Sequence, residues 1–243
     1  MATDARSRPE HVDHHVRHRD VTGGWLRPAV FGVMDGLVSN VALVVGVAAA
    51  GATTRVVLVA GLAGLFAGAF SMATGEYNSV RSQSELAAAE IAIERRELSR
   101  APEAEEAELA AIYRGKGLTR ELSAAVAREL SRDPEVAWRV HAREELGIDP
   151  DNLPSPWTAA FASFVSFLVG ALVPLLPYLA GLDDLALVVA CVSGATALFL
   201  TGVAVSRFTI RGAMYTGLRQ LTLGSLAAGV TYLVGSVVGV GVA

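Results

Sequence analysis

The chain contains 243 residues, of which 52% are hydrophobic and 18% charged, a balance that excludes an ordinary soluble domain and indicates a membrane protein. Its net charge of −4 comes from an acidic central segment. No basic face typical of nucleic-acid binding is evident, so we expect no nucleic-acid partner. The only cysteine is Cys191, which excludes a disulfide framework.

Five apolar segments are each near the length needed to cross a bilayer. They predict an all-α membrane protein with five transmembrane helices, at about 29–50, 56–77, 157–179, 185–205 and 218–242. The corresponding division of the chain is a polar N-terminal lead, helices 1 and 2, a helical insert and helices 3 to 5, over 1–24, 25–80, 81–152 and 153–243. The lead carries a histidine cluster that either feeds metal to a site or belongs to a polar tail: His11, His14, His15 and His18.

Asp35 lies about one and a half turns into the first predicted span. A charge there costs at least about 3 kcal/mol, so we expect it to face a protein interior or a water-filled path. The alternative is a protonated structural carboxyl that is hydrogen-bonded to a neighbouring helix. In the second span, Met72 and Glu76 are spaced i,i+4. Met72 is either packing or a soft ligand for a transition metal, and Glu76 is either an interfacial carboxylate or part of a proton path.

The insert contains two glutamate pairs spaced i,i+3, so the carboxylates of each pair share a helix face. The pairs are Glu94/Glu97 and Glu105/Glu108, and Pro102 between them indicates the end of one helix and the start of the next. Two short antiparallel helices would bring four carboxylates together, and such a cluster repels itself unless a cation fills it. The alternative is a solvated acidic face matched by arginines: Arg95, Arg96 and Arg100.

The whole insert is predicted to be helical. Segment 78–100 continues the second span, and further helices are expected at about 103–113, from Thr119 to 130 and from Asp133-Pro134 to Gly147. His141 and Glu145 are spaced i,i+4 on the last of these helices. If that helix folds back on the glutamates, the site gains an imidazole and a carboxylate, a set that suits Fe²⁺, Mn²⁺ or Zn²⁺. The alternative is a surface histidine.

Loop charges predict the orientation. The lead, the insert and the loop with Arg207 and Arg211 are basic and fall on one side, whereas the other connections offer only Arg55. We therefore expect the N-terminus and insert to be cytoplasmic and the C-terminus to lie outside. Lysine occurs once among 20 basic residues, a bias that suggests a GC-rich bacterial genome and hence a bacterial plasma membrane. Small residues favour close helix pairing within or between subunits, at Gly61, Gly64, Gly68, Gly235 and Gly239.

From Trp25 to the C-terminus the chain resembles the vacuolar iron transporter family. The resemblance rests on several motifs in the same order: Trp25-Leu26-Arg27, Asp35-Gly36-Leu37-Val38-Ser39, Ser71-Met72-Ala73-Thr74-Gly75-Glu76-Tyr77, Gly217-Leu218-Arg219-Gln220-Leu221 and the paired glutamates. It implies a homodimer of five-span subunits that exchanges Fe²⁺ or Mn²⁺ for protons and carries a cytoplasmic metal-binding domain after the second span.

Carried over by position, the resemblance implies metal ligands in the insert at Glu94, Glu97, Glu105, Glu108 and Glu145. It also implies a transport site at Asp35 and Met72, between the two subunits. One departure is that His141 and Ala142 stand where plant members have two methionines. A harder, nitrogen-containing site would favour Mn²⁺ or Zn²⁺ more than the plant site does.

These observations predict a proton-coupled exporter of divalent iron or manganese, with Zn²⁺ and Co²⁺ as further candidate ions, no prosthetic group and no enzymatic activity. Asp35 and Glu76 are the candidates for proton coupling. The alternatives are a membrane-tethered di-iron ferroxidase and a metal-sensing or storage module. A di-iron bundle normally supplies two Glu-x₂-His motifs, whereas the insert has one histidine and no such motif. A mere anchor has no need of an intramembrane carboxylate.

Overall fold

The computed structural model describes residues 24–208 and 210–242, and within these ranges it contains helices and no strands. The N-terminal histidine cluster lies outside the described residues. The helices, in chain order, are α1 (Leu26–Ala49), α2 (Thr54–Arg100), α3 (Pro102–Gly115), α4 (Arg120–Leu130), α5 (Pro134–Glu144), α6 (Pro156–Leu172), α7 (Leu176–Leu179), α8 (Ala186–Ser206) and α9 (Ala213–Val242). Short 3₁₀ turns at Val173–Leu175 and Asp183–Leu185 precede α7 and α8.

Five helical segments are long and apolar enough to cross a membrane, which confirms the predicted all-α membrane protein. They are α1, α2, α6 with α7, α8 and α9, and their apolar parts match the five predicted segments. α1 packs against α2, α6, α8 and α9 and so forms the centre of the bundle.

Close backbone contact holds the bundle together. A Cβ atom on Gly36 would lie 2.9 Å from the backbone nitrogen of Ala171, and one on Gly170 would lie 3.0 Å from that of Leu37. These glycines therefore allow α1 and α6 to touch backbone to backbone, the approach that small residues make possible in membranes.

The α-helix of the third predicted span is interrupted where its prolines lie. Pro174 sits within the 3₁₀ turn that separates α6 from α7, and Pro177 follows in α7. A proline has no N–H group to donate and distorts the preceding turn. The carbonyl of Ala171 near this interruption accepts a hydrogen bond of 2.5 Å from Nδ2 of buried Asn40 on α1, so a side chain from a neighbouring helix supplies a partner there.

α2 is far longer than a bilayer is thick. Its 47 residues extend about 70 Å, against about 30 Å for the hydrocarbon core. The apolar stretch ends near Tyr77, so the remainder of α2, through Arg100, projects from the membrane and meets α3 and α5. The predicted helix starts are confirmed, since Thr119 caps α4 and Asp133 caps α5 through their side-chain oxygens.

Candidate metal centre

The candidate centre lies where three helices of the insert meet outside the apolar part of the bundle. α2 ends at Arg100 and α3 begins at Pro102, so Ala101 alone separates the two helices. The predicted pair of adjacent helices is therefore present. Glu94 lies on α2, Glu105 on α3 and His141 on α5, and all three are buried.

His141 is the middle of this cluster and is completely shielded from solvent (0% exposed). Its Nδ1 atom lies 2.9 Å from Oε1 of Glu94, 3.4 Å from Oε2 of Glu145 and 3.9 Å from Oε2 of Glu105. One potential ligand atom each from Glu94, Glu105 and His141 lies within 4.8 Å of the other two. A single cation could therefore contact all three residues after small side-chain shifts.

Two buried polar atoms of the cluster lack hydrogen-bond partners among the described residues. They are Oε1 of Glu94 and Nε2 of His141. Oε1 approaches Nδ1 of His141 at 2.9 Å, but it does so without hydrogen-bond geometry. Nearly all buried polar atoms in folded proteins are hydrogen-bonded. An unsatisfied carboxylate oxygen beside an imidazole fits a divalent cation, because both groups are ordinary ligands of Fe²⁺, Mn²⁺ and Zn²⁺.

The pKa values of the buried glutamates also indicate that their negative charges are not compensated. Burial, followed by the charges of Glu145, Glu105, Glu97 and Glu108, raises the pKa of Glu94 to about 7. Burial also raises the pKa of Glu105, with Glu108 adding to the rise and His141 opposing it. Because a cation would lower both pKa values, a metal ion bound at this centre would compete with protons near neutral pH.

The remaining predicted residues form a more open rim around the buried trio. Glu97 and Glu108 are exposed, and the side chain of Glu145 is 31% exposed. All three are close enough to raise the pKa of Glu94. The structure thus brings together all six residues predicted for the insert, with three buried and three at the rim.

Two of the three arginines in the alternative, Arg95 and Arg96, form hydrogen bonds with groups outside the glutamate pairs. Arg95 pairs with Glu135 at 2.9 Å and stacks on Trp138. Nε of Arg96 donates to the backbone carbonyl of Ala92. Two of the four paired glutamates are buried rather than solvated. The geometry therefore favours a cation site over a solvated acidic face.

The candidate transport residues in the bundle are more exposed than the buried cluster of the insert. Asp35 is exposed on the surface of the single chain, in line with Ser39 and with Phe31, which is 55% exposed. It lies about two and a half turns into α1, deeper than predicted, because α1 begins at Leu26. Met72 packs against the hydrophobic core of the bundle, and Glu76 is half-buried. The single chain thus leaves the Asp35 face of α1 uncovered.

The sequence pattern predicted His141 as a ligand only if its helix folds back on the glutamates, with a surface histidine as the alternative, and it did not predict the complete burial of the imidazole. A signal was available in its surroundings. Ala137 precedes His141 by one turn and Ala142 follows it, and all three are buried. Two small residues beside a histidine let α5 approach the glutamate-bearing helices closely enough to enclose the imidazole.

Comparison with known proteins places the chain in a family. The model of the VIT family matches residues 26–236. The chain belongs to the VIT family. A vacuolar iron transporter from Acanthamoeba castellanii is 38% identical over 190 residues, which cover 74% of this chain and 69% of that protein. Vacuolar iron transporter 1 from Arabidopsis thaliana is 30% identical over 230 residues, which cover 93% and 91% of the two chains.

The VIT family match includes both membrane and insert segments. Vacuolar iron transporter homolog 1 from Oryza sativa is 38% identical over 212 residues, which cover 86% of this chain and 71% of that protein. The resemblance drawn from the sequence motifs is therefore confirmed. The similarity covers all the described candidate residues, since Asp35 and Glu145 both lie within 26–236.

Proposed function

We propose that this VIT family member is a homodimeric, proton-coupled transporter that exports Fe²⁺, Mn²⁺ or both from the cytosol. The supporting observation is the buried Glu94–Glu105–His141 cluster, in which Glu94 lies on the same helix as the second apolar span, in a chain whose relatives carry the name of iron transporters. The arginine-rich composition and loop charges support a bacterial plasma membrane, with the N-terminus and insert in the cytoplasm and the C-terminus outside.

The insert collects the ion from the cytosol. Glu94, Glu105 and His141 are the inner ligands, because they are buried and converge. Rim carboxylates attract cations and complete the coordination, at Glu97, Glu108 and Glu145. One imidazole nitrogen among carboxylates binds first-row metals well and disfavours Ca²⁺ and Mg²⁺, which take oxygen ligands.

The transport path lies on the face of α1 that carries Asp35. A carboxylate facing lipid costs at least about 3 kcal/mol, so this face needs a protein neighbour. A second copy of the chain supplies one, and a two-fold axis would bring two Asp35 side chains to one path. Met72 contributes a thioether from α2 after its side chain turns from the core. Glu76 lies one turn further along α2, toward the insert.

Proton coupling arises because a proton and a metal ion compete for the same carboxylate. A carboxylate cannot hold a proton and a divalent ion with full affinity for both, so protonation from the far side releases the metal. Asp35 is the first candidate for this exchange and Glu76 the second. The cluster offers one histidine among the described residues, which supports transport over di-iron ferroxidase chemistry, and the intramembrane Asp35 supports transport over simple sensing or storage.

Liposome flux measurements test the proposal. The full chain is reconstituted, and uptake of Fe²⁺, Mn²⁺, Co²⁺ and Zn²⁺ is followed in competition at fixed pH gradients. We expect Fe²⁺ or Mn²⁺ flux that depends on the gradient and that moves protons in the opposite direction. Metal binding without flux, or oxidation of Fe²⁺ at a catalytic rate, would support the storage or ferroxidase alternative instead.

Asp35→Asn gives the sharpest test of the path. The amide keeps the shape of the carboxyl but neither attracts a divalent ion nor exchanges a proton. We expect flux to fall to background while the metal affinity of the insert, measured by calorimetry on the same preparation, stays unchanged. Asp184→Asn is the matched control, because Asp184 is exposed in the connection between α7 and α8. Near-normal flux in Asp35→Asn would make Asp35 a structural carboxyl.

A further inference from the structure

The surface of the bundle contains an apolar groove between α2 and α6 that the proposed transport mechanism does not use. It has a volume of about 450 Å³ and is lined mainly by five aromatic side chains, with Ala73 beside them: Phe70, Tyr77, Trp157, Phe161 and Phe164. Phe161 is 71% exposed and Trp157 is 74% exposed. Thr74 also lines the groove, and its hydroxyl donates to the carbonyl of Phe70, so this hydroxyl is already satisfied within α2.

The groove has a defined position relative to the bilayer. The Tyr77 and Trp157 rings meet with centroids 4.8 Å apart, at the end of the apolar stretch of α2 and in the first turn of α6. Tyrosine and tryptophan are the residues typical of the membrane–water interface. From this pair the groove extends about 10 Å toward Phe70 along α2. It therefore begins at the headgroup level and runs into the hydrocarbon core.

A positively charged side chain, that of Arg81, lies beyond the interfacial end of the groove. Arg81 follows Tyr77 by four residues and shares its helix face, about 6 Å further from the bilayer centre. Its guanidinium contacts Glu85 at 2.6 Å, but both side chains are more than half exposed. Such an exposed pair contributes little energy, so an additional anion can bind the guanidinium.

The N-terminus of α6 adds a second attraction for an anion. α6 starts at Pro156 and has no acidic residue in its first turn, and its cap Ser155 accepts a hydrogen bond from the Thr158 nitrogen. The nearest acidic residues of the preceding linker, Asp149 and Asp151, are held by Arg143 at 3.0 and 2.7 Å. A 17-residue helix carries partial positive charge at its N-terminus and favours phosphate there.

We propose that this groove binds an anionic phospholipid. One acyl chain lies against the aromatic wall, and the phosphodiester lies between Arg81 and the N-terminus of α6. A lipid is the occupant that matches all three features, namely an apolar channel in the hydrocarbon, an aromatic pair at the interface and positive charge at the headgroup level. The bound lipid would fasten α2 to α6, and α2 is the helix that continues into the metal-binding insert. The proposal does not depend on metal transport.

Fluorescence quenching in lipid nanodiscs tests the site in the full chain. Trp157 becomes the only tryptophan after Trp25→Phe and Trp138→Phe, and helical circular dichroism checks the fold. Discs contain phosphatidylcholine and phosphatidylglycerol, and either lipid carries brominated acyl chains that quench nearby tryptophan. Both leaflets contain both lipids, so the result does not depend on the orientation of the protein. We expect phosphatidylglycerol to be preferred at Trp157 by about fivefold, the effect of one basic side chain near a bilayer surface.

Three further variants, one of them a control, separate binding of the headgroup from binding of the acyl chain. Arg81→Gln should bring the ratio of phosphatidylglycerol to phosphatidylcholine binding at Trp157 close to one. Arg128→Gln, an exposed arginine of α4 paired with Glu106, should leave it unchanged. Ala73→Leu narrows the groove and should reduce quenching by both lipids. Equal quenching by both lipids in the starting protein, or a preference that survives Arg81→Gln, would overturn the proposal. Absence of quenching by either lipid would overturn it as well, and would indicate that a second copy of the chain covers the groove.

Discussion

The membrane bundle and the insert bury opposite kinds of groups. In the bundle, α1 contacts α6 through glycines, and the core consists of apolar side chains that include Leu65, Phe167 and Leu175. In the insert, the groups buried at the centre are Glu94, Glu105 and His141. The bundle is therefore stabilised by close packing, whereas the centre of the insert holds charged groups that repel one another unless a proton or a cation is bound. Substitutions that change side-chain volume should therefore destabilise the bundle, and substitutions that change charge should affect the centre of the insert.

The insert also has a smaller apolar core than the bundle. Its buried apolar residues beside the cluster are mostly small, at Leu109, Ala127, Ala137 and Ala142. Alanine contributes little buried surface, so ion pairs and caps carry more of the stability there than in the bundle. Lys116, at the end of α3, pairs with Glu144 on α5. Metal binding should consequently stabilise the insert far more than the bundle.

The largest effect is expected for Gly36→Val. The added side chain would meet the backbone of Phe167 and Ala171 on α6, and a backbone cannot rotate away. We expect a loss of about 3 kcal/mol of bundle stability, the upper end of the usual cost of overpacking, measured by unfolding in mild detergent. Gly229→Ala is the control, because a Cβ there meets nothing within 4 Å and alanine favours helix by about 1 kcal/mol. Equal effects of the two variants would mean that close glycine contacts do not hold the bundle together.

Glu94→Gln probes charge at the centre without changing volume. Loss of an outer partner of a metal site costs about 10–100-fold in affinity, so loss of a direct ligand should cost at least about 100-fold. Glu97→Gln, at the exposed rim, should cost about tenfold or less. Mn²⁺ titration calorimetry of the full chain in detergent measures both. If the two variants bind equally well, the buried glutamate is not an inner ligand.

The metal-free insert should lose stability as the pH rises. The folded-state pKa of Glu94 is raised to about 7, so its contribution to stability is fully present below the unfolded value near 4.5 and is lost as the pH passes through 7. Allowing for solvent screening at the rim, we expect a loss of about 2 kcal/mol between pH 4.5 and 8. Hydrogen exchange of α5 measures it, and saturating Mn²⁺ or Glu94→Gln should remove the slope. A slope that persists in Glu94→Gln would assign it to other groups.

Short-range sequence patterns were enough to predict the helices, whereas the burial of the candidate site residues depends on how the helices pack. Thr119 and Asp133 cap their helices through short-range hydrogen bonds, so their neighbours in sequence are enough to predict them. The depth of His141 depends on how α5 lies against two other helices, which no local pattern encodes. The outward position of Asp35 depends on which faces of α1 are covered by α6 and α9. Spacing predicted which residues share a face, but it could not tell which faces are buried.

The continuity of α2 also has a mechanical consequence. Met72 and Glu94 lie on the same unbroken helix, 22 residues or about 33 Å apart. Such a helix acts as a lever, and a tilt of about 5° at Met72 would displace Glu94 by about 3 Å. That displacement is comparable to a metal–ligand distance of about 2 Å. If α3 and α5 stayed in place, a small change in the tilt of α2 within the membrane would separate Glu94 from Glu105 and His141.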